Sequence, residues 1–377
     1  MTTALDLGAA RAAFLMPDGP YFLSHSIGLQ PQAAAKAIER QFLAPWQGAA
    51  VDVWDHWLAA VDKFKAALAT VIGAAAGDIC PQTNISSALT KIVFSLPERA
   101  RRRKIVLTED DFPTVGFVAA QARRLGYDVL LLPGGPRLAD IDAWSPAFHD
   151  DVQLVIATHV FSNTSVKSPA AEIARRAHER GVFSVLDIAQ SAGAVPIDLS
   201  AWRPDFAVGT SVKYLCGGPG ACFLWAEEDT AARCSPIDVG WFSHEAPFEF
   251  DIRNFRYARG AQRYWGGTPS VAPFAVAAAG LEIISRFGVD AIFEHNQALL
   301  SVLIGALPQG SLLSHGRAGE RGSAAVIKVK NPAGASRALA QAGIRHDQRM
   351  GGVRLSTHLY DGPEDVSRLL DVLIREM

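Results

Sequence analysis

Six short apolar runs, set apart by polar or amphipathic sequence, constrain the fold of this chain more than any other feature. They are Ile105–Leu107, Val129–Leu132, Leu154–Ala157, Phe183–Leu186, Phe206–Val208 and Cys222–Trp225. Each is continuous rather than alternating, which is the pattern of a strand covered on both faces. Helical patterns fall between the earlier runs, near 113–125 and 168–180. Strand and helix in alternation build βαβ units, hence an α/β fold with a mostly parallel sheet and helices on both faces. Upstream, Trp54, Trp57, Leu58, Val61, Phe64, Leu68 and Val71 recur with a helical period, predicting a helix from about Trp54 to Ile72.

The pattern changes after about residue 290. Ala325–Val329 and Val353–Ser356 read as strands, and Ala335–Ala342 and Pro363–Met377 as helices, giving a compact α+β unit. An Ala-rich segment, 272–287, reads as a long helix joining the two parts. A chain of 377 residues is too long for one small core. The expected organisation is an N-terminal segment (1–20) packing on the small domain, a large domain (21–265), and a linking helix with a small C-terminal domain (266–377).

Hydrophobic residues make up 49% and charged residues 20%, a globular balance, and the net charge of -2 gives no electrostatic reason to expect nucleic acid or an anionic membrane. The basic run Arg99, Arg101, Arg102, Arg103 and Lys104 reads as a solvated helix-to-strand junction. No apolar run approaches the ~20 residues of a membrane span. The start, Met1-Thr-Thr-Ala-Leu-Asp-Leu7, lacks the basic and apolar regions of a signal peptide. Four cysteines without a CxxC pair read as buried free thiols in a reducing compartment, so the cytoplasm is expected. Ten histidines without HxH or HExxH spacing predict no metal site.

Open α/β sheets bind ligands at the carboxyl ends of their strands. That directs attention to Thr108–Phe112, Thr158–Asn163, Asp187–Gln190 and Thr210–Lys213. Lys213 precedes a glycine-rich turn and Asp187 ends the preceding apolar run. A lysine and a carboxylate at successive strand ends are what pyridoxal 5'-phosphate needs. The amine forms a Schiff base with the cofactor aldehyde, and the carboxylate pairs with the pyridinium nitrogen. Pro81-Gln-Thr-Asn-Ile-Ser-Ser87 precedes an apolar helical pattern, Ala88–Leu96, and so offers a helix N-terminus for the phosphate.

From Tyr21-Phe-Leu-Ser-His-Ser-Ile-Gly-Leu-Gln-Pro31 to Gly352-Val-Arg-Leu-Ser356, the chain resembles the class V aminotransferases of pyridoxal phosphate fold type I, with local wording most like kynureninase. The resemblance implies a Schiff-base role for Lys213 and a pyridinium partner in Asp187. It implies phosphate contacts from the Ile85 backbone, Ser86 and Thr210, stacking by Phe112, and a polar contact from Thr158. Gln190 would approach the phenolic oxygen, where kynureninases carry histidine. Trp241, in Gly240-Trp-Phe-Ser-His244, and Thr268, in Gly266-Gly-Thr-Pro269, would reach the phosphate of a neighbouring subunit, implying a homodimer with shared sites. Arg354 would clamp the α-carboxylate of an amino-acid substrate.

Departures also count. Val212 stands where kynureninases have tyrosine, and Thr268 where they have a substrate-contacting asparagine. The persulfide cysteine of cysteine desulfurases has no equivalent in the matching loop, Ser314–Ser323. The expectation is an aminotransferase-like enzyme. A kynureninase-like hydrolase cleaving a Cβ–Cγ bond and a non-enzymatic cofactor-binding module are the alternatives.

Overall fold

All six apolar runs become strands of one seven-stranded sheet. The computed structural model describes residues 5–48 and 52–377, so the first four residues of the N-terminal segment lie outside the described residues. The strands are β1 (Ile79–Gln82), β2 (Lys104–Thr108), β3 (Asp128–Leu132), β4 (Val152–Thr158), β5 (Phe183–Asp187), β6 (Phe206–Thr210) and β7 (Cys222–Ala226). Their order is β1-β7-β6-β5-β4-β2-β3. Pairings among β2 to β6 are parallel, while β7 runs antiparallel to both β6 and β1. Strand β1 is an addition to the expected set. Its Pro81 lacks a ladder donor and breaks the apolar pattern, and it is tolerated because β1 is an edge strand.

The continuous runs follow from two cores. Ile105, Leu107, Leu154, Ile156, Val185 and Val208 bury into the cluster on one face. Val106, Val155, Ala157, Leu186 and Ala207 bury into the cluster on the other. Alternate residues therefore point to opposite faces and both faces exclude water.

A second, antiparallel sheet of order β8-β10-β9 is formed by β8 (Ala324–Ile327), β9 (Asp347–Arg349) and β10 (Gly352–Ser356). It has its own core, including Phe22, Leu300, Leu303, Leu339, Leu355 and Leu369. The helix Ala272–Phe287 ends at Gly288, whose positive φ of 79° breaks it, and a second helix, Val289–Gly305, follows. Near the N-terminus, Asp6 caps the helix Leu7–Ala12. Arg11 there donates to the Asp365 carboxylate at 2.7 Å and to the Tyr360 carbonyl at 3.0 Å. Among the described residues, no helix is long and apolar enough to cross a membrane.

Parallel pairing sets the site. Thr158 is the register partner of Asp187, and Asp187 that of Val208, so the chain leaves β4, β5 and β6 side by side at one edge.

Candidate active site

At that edge lies a cavity of about 370 Å³ lined by Ile85, Ser86, Phe112, Thr158, Asp187, Gln190, Thr210 and Lys213. These residues come from five separate places in the chain. The end-of-strand rule brings most of them together, and the helix Ile85–Val93 brings the rest.

Lys213 sits in a tight loop after β6. The amide of Gly28 donates to the Val212 carbonyl at 2.8 Å, which ties the loop to the segment after Phe22. The approach leaves no room for a side chain, since a Cβ on Gly28 would stand 2.1 Å from the Lys213 carbonyl oxygen and 2.8 Å from Cys216 Sγ. Gly28→Ala should therefore push the lysine loop out of place, at about 1–3 kcal/mol of overpacking. A urea midpoint equal to that of the wild-type protein would contradict this.

The Lys213 Nζ lies 5.8 Å from the centre of the Phe112 ring. Burial lowers its pKa, Asp187 raises it, and Arg354 lowers it again. A lysine depressed in this way holds a larger neutral, nucleophilic fraction near neutral pH. Phe112 is held at the rim by Pro113, the first residue of the helix Pro113–Gln121, which keeps Phe112 extended.

Asp187 is buried, and burial pushes its pKa up, while the Ala189 amide and Lys213 pull it down. Its Oδ1 accepts from the Ala189 amide at 2.9 Å. Its other oxygen has no hydrogen-bond or salt-bridge partner among the described residues. A buried carboxylate with one oxygen open to the cavity suits a cationic ring nitrogen. Gln190 is oriented by donating from Nε2 to the His25 carbonyl at 3.0 Å.

At the other end of the cavity, Asn84 caps the helix Ile85–Val93, its side chain accepting from the Ser87 amide at 2.8 Å. The amides of the first turn have no carbonyl partner within the helix and carry its positive dipole end. The Ser86 and Thr114 hydroxyls meet at 3.3 Å, and Thr83 and Thr210 also line this end. Unpaired amides and several hydroxyls form a donor set for a phosphate dianion. Thr114 was not singled out in the sequence, although it follows Phe112-Pro113 directly.

Three residues lie away from the cavity wall. Arg354, on β10, is buried and its guanidinium binds the Asp347 carboxylate through Nε at 2.8 Å and Nη2 at 2.5 Å, with Nη1 on the Ser162 carbonyl at 3.0 Å. Ser162 does line the cavity, so Arg354 stands one residue behind it. Burial opposes ionisation of Asp347, but the hydrogen bonds from Arg354 and His25 hold it well below the usual carboxylate range. His25 bonds Asp347 at 3.0 Å and the Ser356 hydroxyl at 2.9 Å, and burial lowers its pKa to about 4. Neither Asp347 nor His25 was picked out in the sequence. Trp241 and Thr268 meet each other instead, indole Nε1 donating to the Thr268 hydroxyl at 3.2 Å. Thr268 lines a separate cleft with Lys91, and Trp241 packs among Phe242, Phe248 and Phe250.

The chain is similar to known proteins in sequence and in fold. A family model described as aminotransferase class-V matches residues 21–369. A kynureninase from Deinococcus radiodurans is 32% identical over 307 residues, covering 79% of this chain and 73% of the relative. A kynureninase from Burkholderia pseudomallei is 28% identical over 395 residues, covering 98% and 93%. Among solved structures, an apo cysteine desulfurase from Thermococcus onnurineus NA1 superposes with a TM-score of 0.86 at 20% identity, covering 99% of this chain and 98% of the other. A cystine C-S lyase in complex with cysteine persulfide gives 0.85 at 21% identity, covering 94% and 97%. At such identities the two structures speak to the fold alone.

Proposed function

The chain belongs to the aminotransferase class-V family of pyridoxal phosphate enzymes, and from that premise we propose that it transfers the amino group of an α-amino acid. When bound, pyridoxal phosphate supplies an aldehyde that condenses with amines and a ring that accepts the electron pair of a broken Cα bond. In this reading Lys213 holds the cofactor, Asp187 faces the ring nitrogen, Phe112 covers a ring face and Gln190 approaches the phenolic edge. Thr158 adds a polar contact. The Ile85 and Ser86 amides, with the Ser86 and Thr210 hydroxyls, hold the phosphate.

The observation that carries transamination is the poverty of acid–base groups. Among the described residues lining the cavity, the titratable ones are Lys213, Asp187 and Cys222. Burial raises the Cys222 pKa and keeps it a thiol. Asp187 is committed to the ring. Lys213 Nζ alone can take a proton from Cα and return it at a neighbouring carbon, which is all that transamination requires. Hydrolysis of a carbon–carbon bond needs more: a base for the water and an acid for the departing carbon. Val212, beside the lysine, supplies neither.

Arg354 would orient the substrate. A guanidinium has five N–H donors, and its bonds to Asp347 and Ser162 leave donors on the terminal nitrogens for an α-carboxylate. A homodimer is part of the proposal. Trp241 and Thr268 lie apart from their own Lys213 cavity, beside an exposed apolar surface that includes Phe248, Phe250 and Ile252, the last 96% exposed. Four buried free thiols suit a reducing cytoplasm.

The kynureninase relatives favour a second reading, hydrolysis of a Cβ–Cγ bond. One experiment separates the two. The loaded protein is incubated with single amino acids, kynurenine included, without an oxo-acid acceptor. Conversion of the cofactor to pyridoxamine phosphate is expected. Anthranilate released from kynurenine over many turnovers would overturn transamination in favour of hydrolysis.

A further inference from the structure

Asp111 has no task in the reading above, yet it is bonded to the cavity wall. It lies in the loop after β2, directly before Phe112. Its Oδ2 accepts from the Thr108 amide at 2.7 Å and from the Thr108 hydroxyl at 3.2 Å. Its Oδ1 accepts from the Thr158 hydroxyl at 2.5 Å. Thr158 lines the cavity and is the register partner of Asp187.

A threonine hydroxyl has one proton and two lone pairs. While Asp111 is ionised, that proton is spent on Oδ1, and Thr158 Oγ1 can offer the cavity lone pairs only. We propose that Asp111 is a positioning residue whose protonation state decides whether Thr158 meets the bound cofactor as an acceptor or as a donor. This rests on the pyridoxal phosphate reading of the cavity.

The geometry specifies where the proton goes. Oδ2 faces a backbone N–H and must remain an acceptor, so a proton taken up by Asp111 sits on Oδ1. That oxygen then donates to Thr158 Oγ1, and the threonine proton turns toward the cavity. The surroundings place this event close to neutral pH. Burial pushes the Asp111 pKa to about 6, with Asp187 on β5 adding to the rise, while the Thr158 and Thr108 hydrogen bonds oppose it. Lys213, on the loop after β6, acts on Asp187 in turn. The neighbouring acids of the same loop are engaged elsewhere, Glu109 on the Gly134 amide and Asp110 on the Gly135 amide.

Asp111→Asn is an informative variant because the Thr108 amide selects its rotamer. The amide oxygen must take the Thr108 N–H, so the NH₂ group faces Thr158 and donates to it. The variant is a permanent copy of the protonated state. Absorbance of the pyridoxal phosphate-loaded protein is followed from pH 5 to pH 9 in wild type, Asp111→Asn, Thr158→Val and the double variant. A spectral step near pH 6 is expected in wild type and in none of the others, with Asp111→Asn changing nothing further once Thr158 is valine. A step that persists in Asp111→Asn overturns the proposal. So does an equal effect of Asp111→Asn with and without the Thr158 hydroxyl, which would mean charge acting through space.

The unloaded protein supplies an independent arm. In a carbon-13 titration of the aspartate carboxyls, Thr158→Val should move the Asp111 midpoint upward by about one pH unit, because the ionised form loses a donor. An unmoved midpoint overturns the proposal. A wild-type protein that takes up no pyridoxal phosphate removes the functional reading instead, and leaves the carbon-13 arm to decide the pair.

Discussion

Lys213→Ala protein is expected to lose its borohydride-reducible link to pyridoxal phosphate and about 10⁴-fold in turnover. The size follows from the composition of the cavity. Among the described residues Lys213 is the one amine lining it, and Asp187 and the Cys222 thiol cannot take over as base. The loss should come in the chemical step and leave the fold intact, because Lys213 makes no hydrogen bond through Nζ among the described residues. Added methylamine should restore part of the turnover by replacing the missing base. Turnover within tenfold of wild type, measured by single-turnover loss of the cofactor band, would show that the proton is moved by another group.

Asp187→Asn is expected to cost about 3–5 kcal/mol of the interaction with the cofactor ring, or about 10²–10⁴-fold in rate and in cofactor retention. The asparagine keeps the shape and can keep the bond from the Ala189 amide through its carbonyl oxygen. What it loses is the negative charge in a buried place where water cannot compensate. Cofactor retention is read by dialysis and rate by the half-reaction with an amino acid. Wild-type values for both would mean that the ring nitrogen finds its partner elsewhere.

Much of this architecture is legible in the sequence because the physics behind it is local. Strands β2 and β4 to β7 are buried on both faces, so each had to be a continuous apolar run, whereas β3 is equally continuous but lies at the sheet edge with Leu131 exposed, so its run does not mark a strand covered on both faces. Strand β1 was missed because Pro81 interrupts it, and only its edge position makes that harmless. Strand β9, Asp-Gln-Arg, escaped because it is polar and mostly exposed, and its pairing with β10 is visible only in three dimensions.

The same division runs through the site. Lys213, Asp187, Thr158, Phe112 and Thr210 could be found because parallel strands deliver their carboxyl ends to one edge. Their partners could not. His25 and Asp347 join Arg354, which the resemblance did name, in one hydrogen-bonded cluster from opposite ends of the chain. Asp111 and Thr158 come from the loop after β2 and the end of β4, strands that pair only after folding. Periodicity carries no information about such pairs, since each depends on where a whole strand lands.

The most direct test of the account is to find the atom that carries the cofactor. The purified, pyridoxal phosphate-loaded protein is reduced with borohydride, digested, and its peptides are weighed. The account predicts the phosphopyridoxyl mass on the peptide containing Lys213 and on no other. The same mass on a different lysine, or on none, would contradict it.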